Sequence, residues 1–233
     1  MKTQELENNS FPGHAGRPGQ IGGSLSAKSA AQIKMEAEQK AKEKYARVAA
    51  FSKDHAGIMK KIEKDFNKSD EAKVLYLINQ TGFRVGGQGQ PGKHQVYGAS
   101  TLKSEHIKVD GDKISFNFQG KKNVAQSHII TDAKMAQFLE SRLSETKIFK
   151  TNDTKIRKYL KEISGKNYLV KDFRTYVATT SAKALVDKMP TPITKADKAH
   201  IEKFVSTQVS KILGNTPGMA KASYIDPSVW AWR

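Results

Sequence analysis

The spacing of apolar residues changes along the chain, and each change predicts an element. Val74, Leu75, Leu77 and Ile78 lie on one helical face, with Ser69 placed to cap the start and Gly82 to end it. After Gly82 the period drops to two. His106–Val109 and Lys113–Phe118 alternate around Asp110-Gly111-Asp112, which predicts a hairpin. Ile107, Val109, Ile114, Phe116 and Phe118 would then share a buried face. Gly120-Lys121-Lys122-Asn123 turns the chain into a third strand over 127–131. A sheet this small needs helices to cover it. Helical spacing resumes over 132–144 and 151–164, and again in a helix capped by Asp172 that ends before Pro190. Thr194 to Asp197 reads as a capping box. Ile201, Phe204, Val205, Val209 and Ile212 follow on one face down to Gly214. Thr216 and Pro217 are placed to start a short helix that ends near Tyr224.

The segment before Ser69 is different. Residues 1–28 are rich in Gly, Ser, Asn and Pro and are expected to form a flexible tail. Helix formers occupy 27–51, but apolar residues are sparse there (Ile33, Met35, Tyr45, Val48), and a further helix is expected over 58–66. The 27–51 helix fits a solvated surface, and its charge also fits a basic arm along DNA. The pattern therefore predicts an α+β fold, predominantly helical, with a small three-stranded antiparallel sheet. Three parts are expected: a tail over 1–28, a basic helical region over 29–68 and the main domain over 69–233.

Composition adds the partner. Net charge is +17 over 233 residues, which points to a polyanion bound through its phosphates, most simply nucleic acid. No run of about 18 apolar residues predicts a membrane span, and no apolar leader opens the chain. Cysteine is absent, which excludes disulfides, thiolate nucleophiles and cysteine-bound zinc. No Asp, Glu or His cluster has ligand spacing, so neither a metal nor a cofactor is expected.

Against this basic background six residues stand in suggestive settings. Arg84 sits between a buried helix and a glycine turn, where a guanidinium can meet a phosphate or serve the structure. Lys121 stands on a turn, where it can reach outward or be solvated. Lys171 and Arg174 are three apart at a helix start, so both can face one anion. Asn215 occupies a helix junction, and Tyr224 follows the small residues Ala220, Ala222 and Ser223. A phenol ionises near pH 10 and is a weak nucleophile at pH 7 unless cations stabilise the phenolate.

These residues occur in an ordered series of motifs: Phe83-Arg84-Val85-Gly86, Thr101 to Ile107, Phe116 to Lys121, Lys171-Asp172-Phe173-Arg174-Thr175-Tyr176, Gly214 to Pro217, and Ser223-Tyr224. The series resembles the catalytic domain of type IB DNA topoisomerases, nearest the compact poxvirus and bacterial forms, over roughly residues 69–230. The resemblance implies a topoisomerase IB/tyrosine recombinase-like fold. It implies that Tyr224 forms a 3′-phosphotyrosyl link, that Arg84 and Arg174 hold the scissile phosphate, and that Lys121 protonates the leaving 5′ oxygen with help from Lys171. Asn215 stands where many members have histidine. An amide can still donate a hydrogen bond but carries no charge.

Two alternatives remain at this stage. A tyrosine site-specific recombinase shares the chemistry but usually shows His-x-x-Arg where this chain has Lys171-x-x-Arg174. A basic DNA-packaging protein would need no Tyr224. The expected partner is double-stranded DNA, bound by a monomer without membrane or small-molecule cofactor in the host cytoplasm or nucleoid. The string GHAGRPGQIGGS resembles segments of phage structural and polymorphic-toxin proteins, which implies a phage setting and virion association.

Overall fold

A computed structural model describes residues 29–87 and 95–232. The expected tail and its GHAGRPGQIGGS string lie outside the described residues. The chain divides into two units at Gln39 and Lys40. In the first, residues 29–39 form the opening of helix α1 (Ala30–Asp65) and their side chains are nearly all exposed. The second unit, described below, carries the core.

Helix α1 corrects the expectation of separate helices over 27–51 and 58–66, because it is continuous. The intervening Gly57 costs about 1 kcal/mol relative to alanine. Val48, Phe51, Ile58 and Ile62 are buried on both sides of it, and each such side chain contributes roughly 1.5–3 kcal/mol when fully buried. Packing therefore overrides the breaker.

Helix α2 (Asp70–Thr81) starts and stops as its sequence predicts. Ser69 Oγ accepts the Ala72 N–H, and Gly82 takes the left-handed conformation at φ 64°. Strands β1 (Ile107–Asp110), β2 (Lys113–Gly120) and β3 (Val124–Thr131) form an antiparallel meander in that order. Ile107 faces Phe116 and Val109 faces Ile114, so the register places the alternating residues on one side. Ile107, Ile114, Phe116 and Phe118 are buried there, and Val109 is half-buried. β3 begins three residues earlier than expected, which brings Gln126 into the sheet.

Helix α3 (Ala133–Glu140) is shorter than the predicted 132–144 helix. Ser141 Oγ turns back to the Phe138 carbonyl, and Arg142 pairs with Glu145 in the turn that follows. Helix α4 (Asp153–Ser164) is capped by Asn152. Helix α5 (Val170–Val186) starts two residues ahead of Asp172. Asp172 therefore does not cap the helix from outside. It lies in the first turn and accepts the Leu169 N–H at 2.8 Å. Helix α6 (Lys195–Leu213) begins with the Thr194–Asp197 box and ends at Gly214, φ 54°. Helix α7 (Pro217–Ser223) is capped by Thr216.

The fold is thus α+β and mainly helical, with two apolar clusters. The larger joins α1, α2, the sheet, α3, α4 and the start of α5. The smaller joins the rest of α5 to α6, α7 and Ile225. Helix α5 belongs to both, and Arg174 lies where it passes from one to the other. Among the described residues no helix is long and apolar enough to cross a membrane.

Candidate active site

Arg174 is almost wholly buried, at 2% exposure. One terminal nitrogen donates to the Gly82 carbonyl and the other to the Leu213 carbonyl. These oxygens belong to the last turns of α2 and α6. Both helices close with a left-handed glycine, and their C-terminal ends carry partial negative charge that suits a cation. A single guanidinium thus joins the two clusters. Its Nε has no partner among the described residues. Burial, and then the nearby charge of Arg84, lower its pKa to about 10, so it is still a cation at neutral pH.

Tyr224 lies over this guanidinium, with the Arg174 Cζ 4.9 Å from its ring centre. Burial alone would raise the phenol's pKa. The charges of Arg174 and Arg84 outweigh burial and hold it below the ordinary value. The backbone beneath the phenol is fixed on both sides. The N–H groups of Tyr224 and Ile225 share the Ala220 carbonyl at 3.0 Å. Thr179 of α5 donates its hydroxyl to the Tyr224 carbonyl at 3.2 Å and accepts the Asp226 N–H at 3.1 Å. Ile225 is fully buried just after it.

Arg84 is half-buried on a segment held from two directions. Phe83 is buried, with its ring edge-on to Phe116, Phe118 and His128 at 4.6–5.4 Å. The Arg84 and Val85 carbonyls accept the Ala99 and Ser100 N–H groups at 2.8 Å. This close approach requires Gly98, because a Cβ there would lie 2.4 Å from the Gly86 nitrogen and 2.5 Å from the Arg84 oxygen. A cleft of about 740 Å³ opens beside this loop, between Tyr97, Lys103, Lys147 and the Asn152 cap of α4.

The structure therefore brings Arg84, Arg174 and Tyr224 together. Asn215 follows the Leu213 carbonyl that Arg174 holds, and both polar atoms of its amide are buried without a hydrogen bond among the described residues. Lys171 and Arg174 do not face the same way: Lys171 is exposed in the first turn of α5, while Arg174 turns inward. Lys121 is also exposed, on a turn in which Lys122 and Asn123 adopt positive φ. No hydrogen bond or ion pair ties Lys121 to the other site residues among the described residues.

Several residues around the site escape the sequence reading. Gln126 donates to the Gly214 carbonyl at 3.0 Å and fills the space beside that glycine, tying β3 to the α6–α7 junction. His128 lies near Arg174. Burial and that charge push its pKa down to about 4, so it is neutral at pH 7. From α1, Arg47 grips the buried Asp172 through two hydrogen bonds of 2.7 and 2.9 Å. Lys44 Nζ donates to the Ser223 carbonyl at 3.1 Å, and the Tyr45 hydroxyl to the Ile225 carbonyl at 2.9 Å. One signal for these was present. Lys44 extends the stripe of Val48, Phe51, His55, Ile58 and Ile62 at three- and four-residue steps, so that face of α1 continues toward Tyr224.

The family model described as the catalytic core of eukaryotic DNA topoisomerase I matches residues 30–227, a span that takes in all of α1. A protein named DNA topoisomerase 1B from Acanthamoeba polyphaga mimivirus is 26% identical over 209 residues, covering 79% of this chain and 62% of the viral protein. DNA topoisomerase 1 beta of Arabidopsis thaliana is 26% identical over 162 residues, covering 64% of this chain and 18% of the plant protein.

Proposed function

The chain belongs to the family defined by the catalytic core of eukaryotic DNA topoisomerase I, and we propose that it is a type IB enzyme that relaxes supercoiled duplex DNA without ATP. The observation that carries this reading is the phenol of Tyr224, which lies over the Arg174 guanidinium and whose pKa the charges of Arg174 and Arg84 lower.

The route follows from the residues. The Tyr224 oxygen attacks a backbone phosphorus, a phosphorus–oxygen bond forms, and the bond to the 5′ oxygen breaks. The phenolic proton leaves first, since the arginines favour the phenolate. Arg84 and Arg174 meet the non-bridging oxygens and offset the charge that builds in the transition state. Arg174 comes to this task already oriented by two backbone carbonyls, so little reorganisation remains. Asn215 adds an uncharged donor. Its unpartnered amide is costly when buried alone and gains an acceptor when phosphate arrives. Lys121, on its exposed turn, supplies the proton to the 5′ oxygen, with Lys171 beside the same strand. One phosphodiester has been exchanged for another, so the 5′ hydroxyl can reverse the step after the strand rotates.

The net charge of +17 supports a grip on DNA through its phosphates that weakens steeply with salt. We take the acting unit to be a monomer on duplex DNA inside a cell.

Relaxation of negatively supercoiled plasmid in EDTA without ATP tests the proposal. Wild type is expected to relax it, and Tyr224→Phe to bind DNA without relaxing it. If both bind and neither relaxes, the reading fails in favour of DNA packaging or site-specific recombination. Equal relaxation by both would remove Tyr224 as the nucleophile.

A further inference from the structure

Helix α1 puts one more cation beside the nucleophile. Lys44 is half-buried and its ammonium donates to the carbonyl of Ser223, the residue preceding Tyr224. The ammonium also lies 3.9 Å from the centre of the Tyr45 ring, and Tyr45 is itself tied to the Ile225 carbonyl. Backbone atoms on both sides of Tyr224 are therefore held by neighbouring residues of α1. Three residues further along α1, Arg47 holds Asp172, the neighbour of Lys171. The charges that act on Lys44 come from every side of the site: Lys171 from α5, Arg47 from α1 itself, and the Tyr224 phenol and Asp226 from the segment after α7. Burial, and then Lys171, lower the pKa of Lys44, while Tyr224 and Asp226 pull it up. An ammonium has three donors and the Ser223 carbonyl takes one. The remaining donors and the charge stay beside the backbone that leads into Tyr224, within electrostatic reach of its phenol and of Lys171, where a backbone phosphate presents its oxygens in the reaction above.

We propose that Lys44 is a further catalytic residue of this site: its ammonium contacts the phosphodiester attacked by Tyr224, from the α1 side. The inference rests on the topoisomerase reading. It assigns to α1 a direct part in the chemistry, where the sequence offered only a solvated helix or a basic arm. It also supplies a further positive charge to a site whose Asn215 carries none.

Lys44→Gln and Lys44→Arg separate the charge from the backbone tie. Glutamine can still donate to the Ser223 carbonyl but is neutral, whereas arginine keeps both donor and charge. The experiment uses the full chain in excess over supercoiled plasmid. It follows the rate of detergent-trapped covalent adduct, with duplex affinity measured in the Tyr224→Phe background and melting temperature recorded for each variant. Lys44→Gln is expected to slow adduct formation at least about tenfold, as loss of a transition-state donor does, with affinity changed less than about threefold and melting unchanged. Lys44→Arg is expected to recover most of the rate. Wild-type rates in Lys44→Gln would overturn the proposal, since the tie alone would then suffice. Equal slowing in both variants would also overturn it, since charge would not be what matters. Wild type without any adduct would overturn the topoisomerase reading itself, and the proposal with it.

Discussion

The arginine side and the lysine side of the site are built in opposite ways. Arg174 is buried against two helix ends, and Arg84 rides on a loop pinned by Gly98 and by backbone bonds to Ala99 and Ser100. Lys121 and Lys171 are exposed, the first on a left-handed turn and the second in a first helical turn. The contrast fits what the proposed reaction asks of each. Charge that offsets a transition state works best when fixed beforehand, because it then costs no reorganisation. A proton donor must meet an oxygen that only the bound DNA supplies, so a flexible ammonium on an exposed turn is adequate until then.

The largest effect that would break this contrast is at Arg174. Arg174→Lys keeps a charge but cannot span the Gly82 and Leu213 carbonyls. We expect relaxation to fall by about 10²–10³, the scale of losing a preorganised donor, together with a lower melting temperature. A rate near wild type would show that charge alone suffices and that the built-in geometry is unnecessary.

Lys121→Ala is the matching test on the other side. Cleavage should fall by about 10², within the range for a general acid, while the melting temperature stays unchanged because the side chain is exposed and makes no hydrogen bond or ion pair among the described residues. A substantial loss of stability would place Lys121 with the arginines rather than opposite them.

Gly214→Ala probes the floor beneath the arginine side. The residue has φ 54°, and an added Cβ would lie 1.9 Å from the Gln126 side-chain oxygen. Strain in the left-handed region costs about 1–2 kcal/mol, and displacing buried Gln126 adds to it. Chemical denaturation should show a loss of about 2 kcal/mol or more, with activity reduced through Arg174. Gly165→Ala is the comparison: it has a similar φ of 68° but open space around it, so it should lose only the conformational part.

The smallest effect concerns His128. Its folded pKa is about 4 against an ordinary 6.5, so the unfolded chain binds the proton more readily. The stability tied to the neutral imidazole is present above pH 6.5 and is lost as pH falls from 6.5 toward 4. Melting temperature in His128→Gln should fall less over that window than in wild type. Parallel curves would mean that the fold does not lower the His128 pKa.

How much of this was legible without the fold depends on the range of the interaction. The α2 and α6 stops, the Asp110–Asp112 turn, the Thr194 and Thr216 caps and the alternation of the sheet are local, each decided within a few residues by φ preference, side-chain capping or period. All of these stand as read. So does the order of Arg84, Lys121, Lys171, Arg174, Asn215 and Tyr224, a one-dimensional fact. Expectations that failed were those in which packing outweighed local preference. Gly57 did not break α1 because buried residues flank it on both sides, and Asp172 moved inside α5 because Arg47, 125 positions earlier, holds its carboxylate.

The sequence by itself determined the elements, the basic charge and the set of residues able to do phosphoryl-transfer chemistry, because those follow from side-chain type and near-neighbour spacing. Only the tertiary structure decided that Arg174 turns inward while Lys171, three residues away, turns out. It alone placed Arg84 and Arg174 at the Tyr224 phenol, and only it brought Lys44 there. Hydrogen bonds from Arg174 to carbonyls 92 and 39 positions away have no local signature. A pKa depends on how deeply a group is buried and on which charges surround it, and the packed chain sets both.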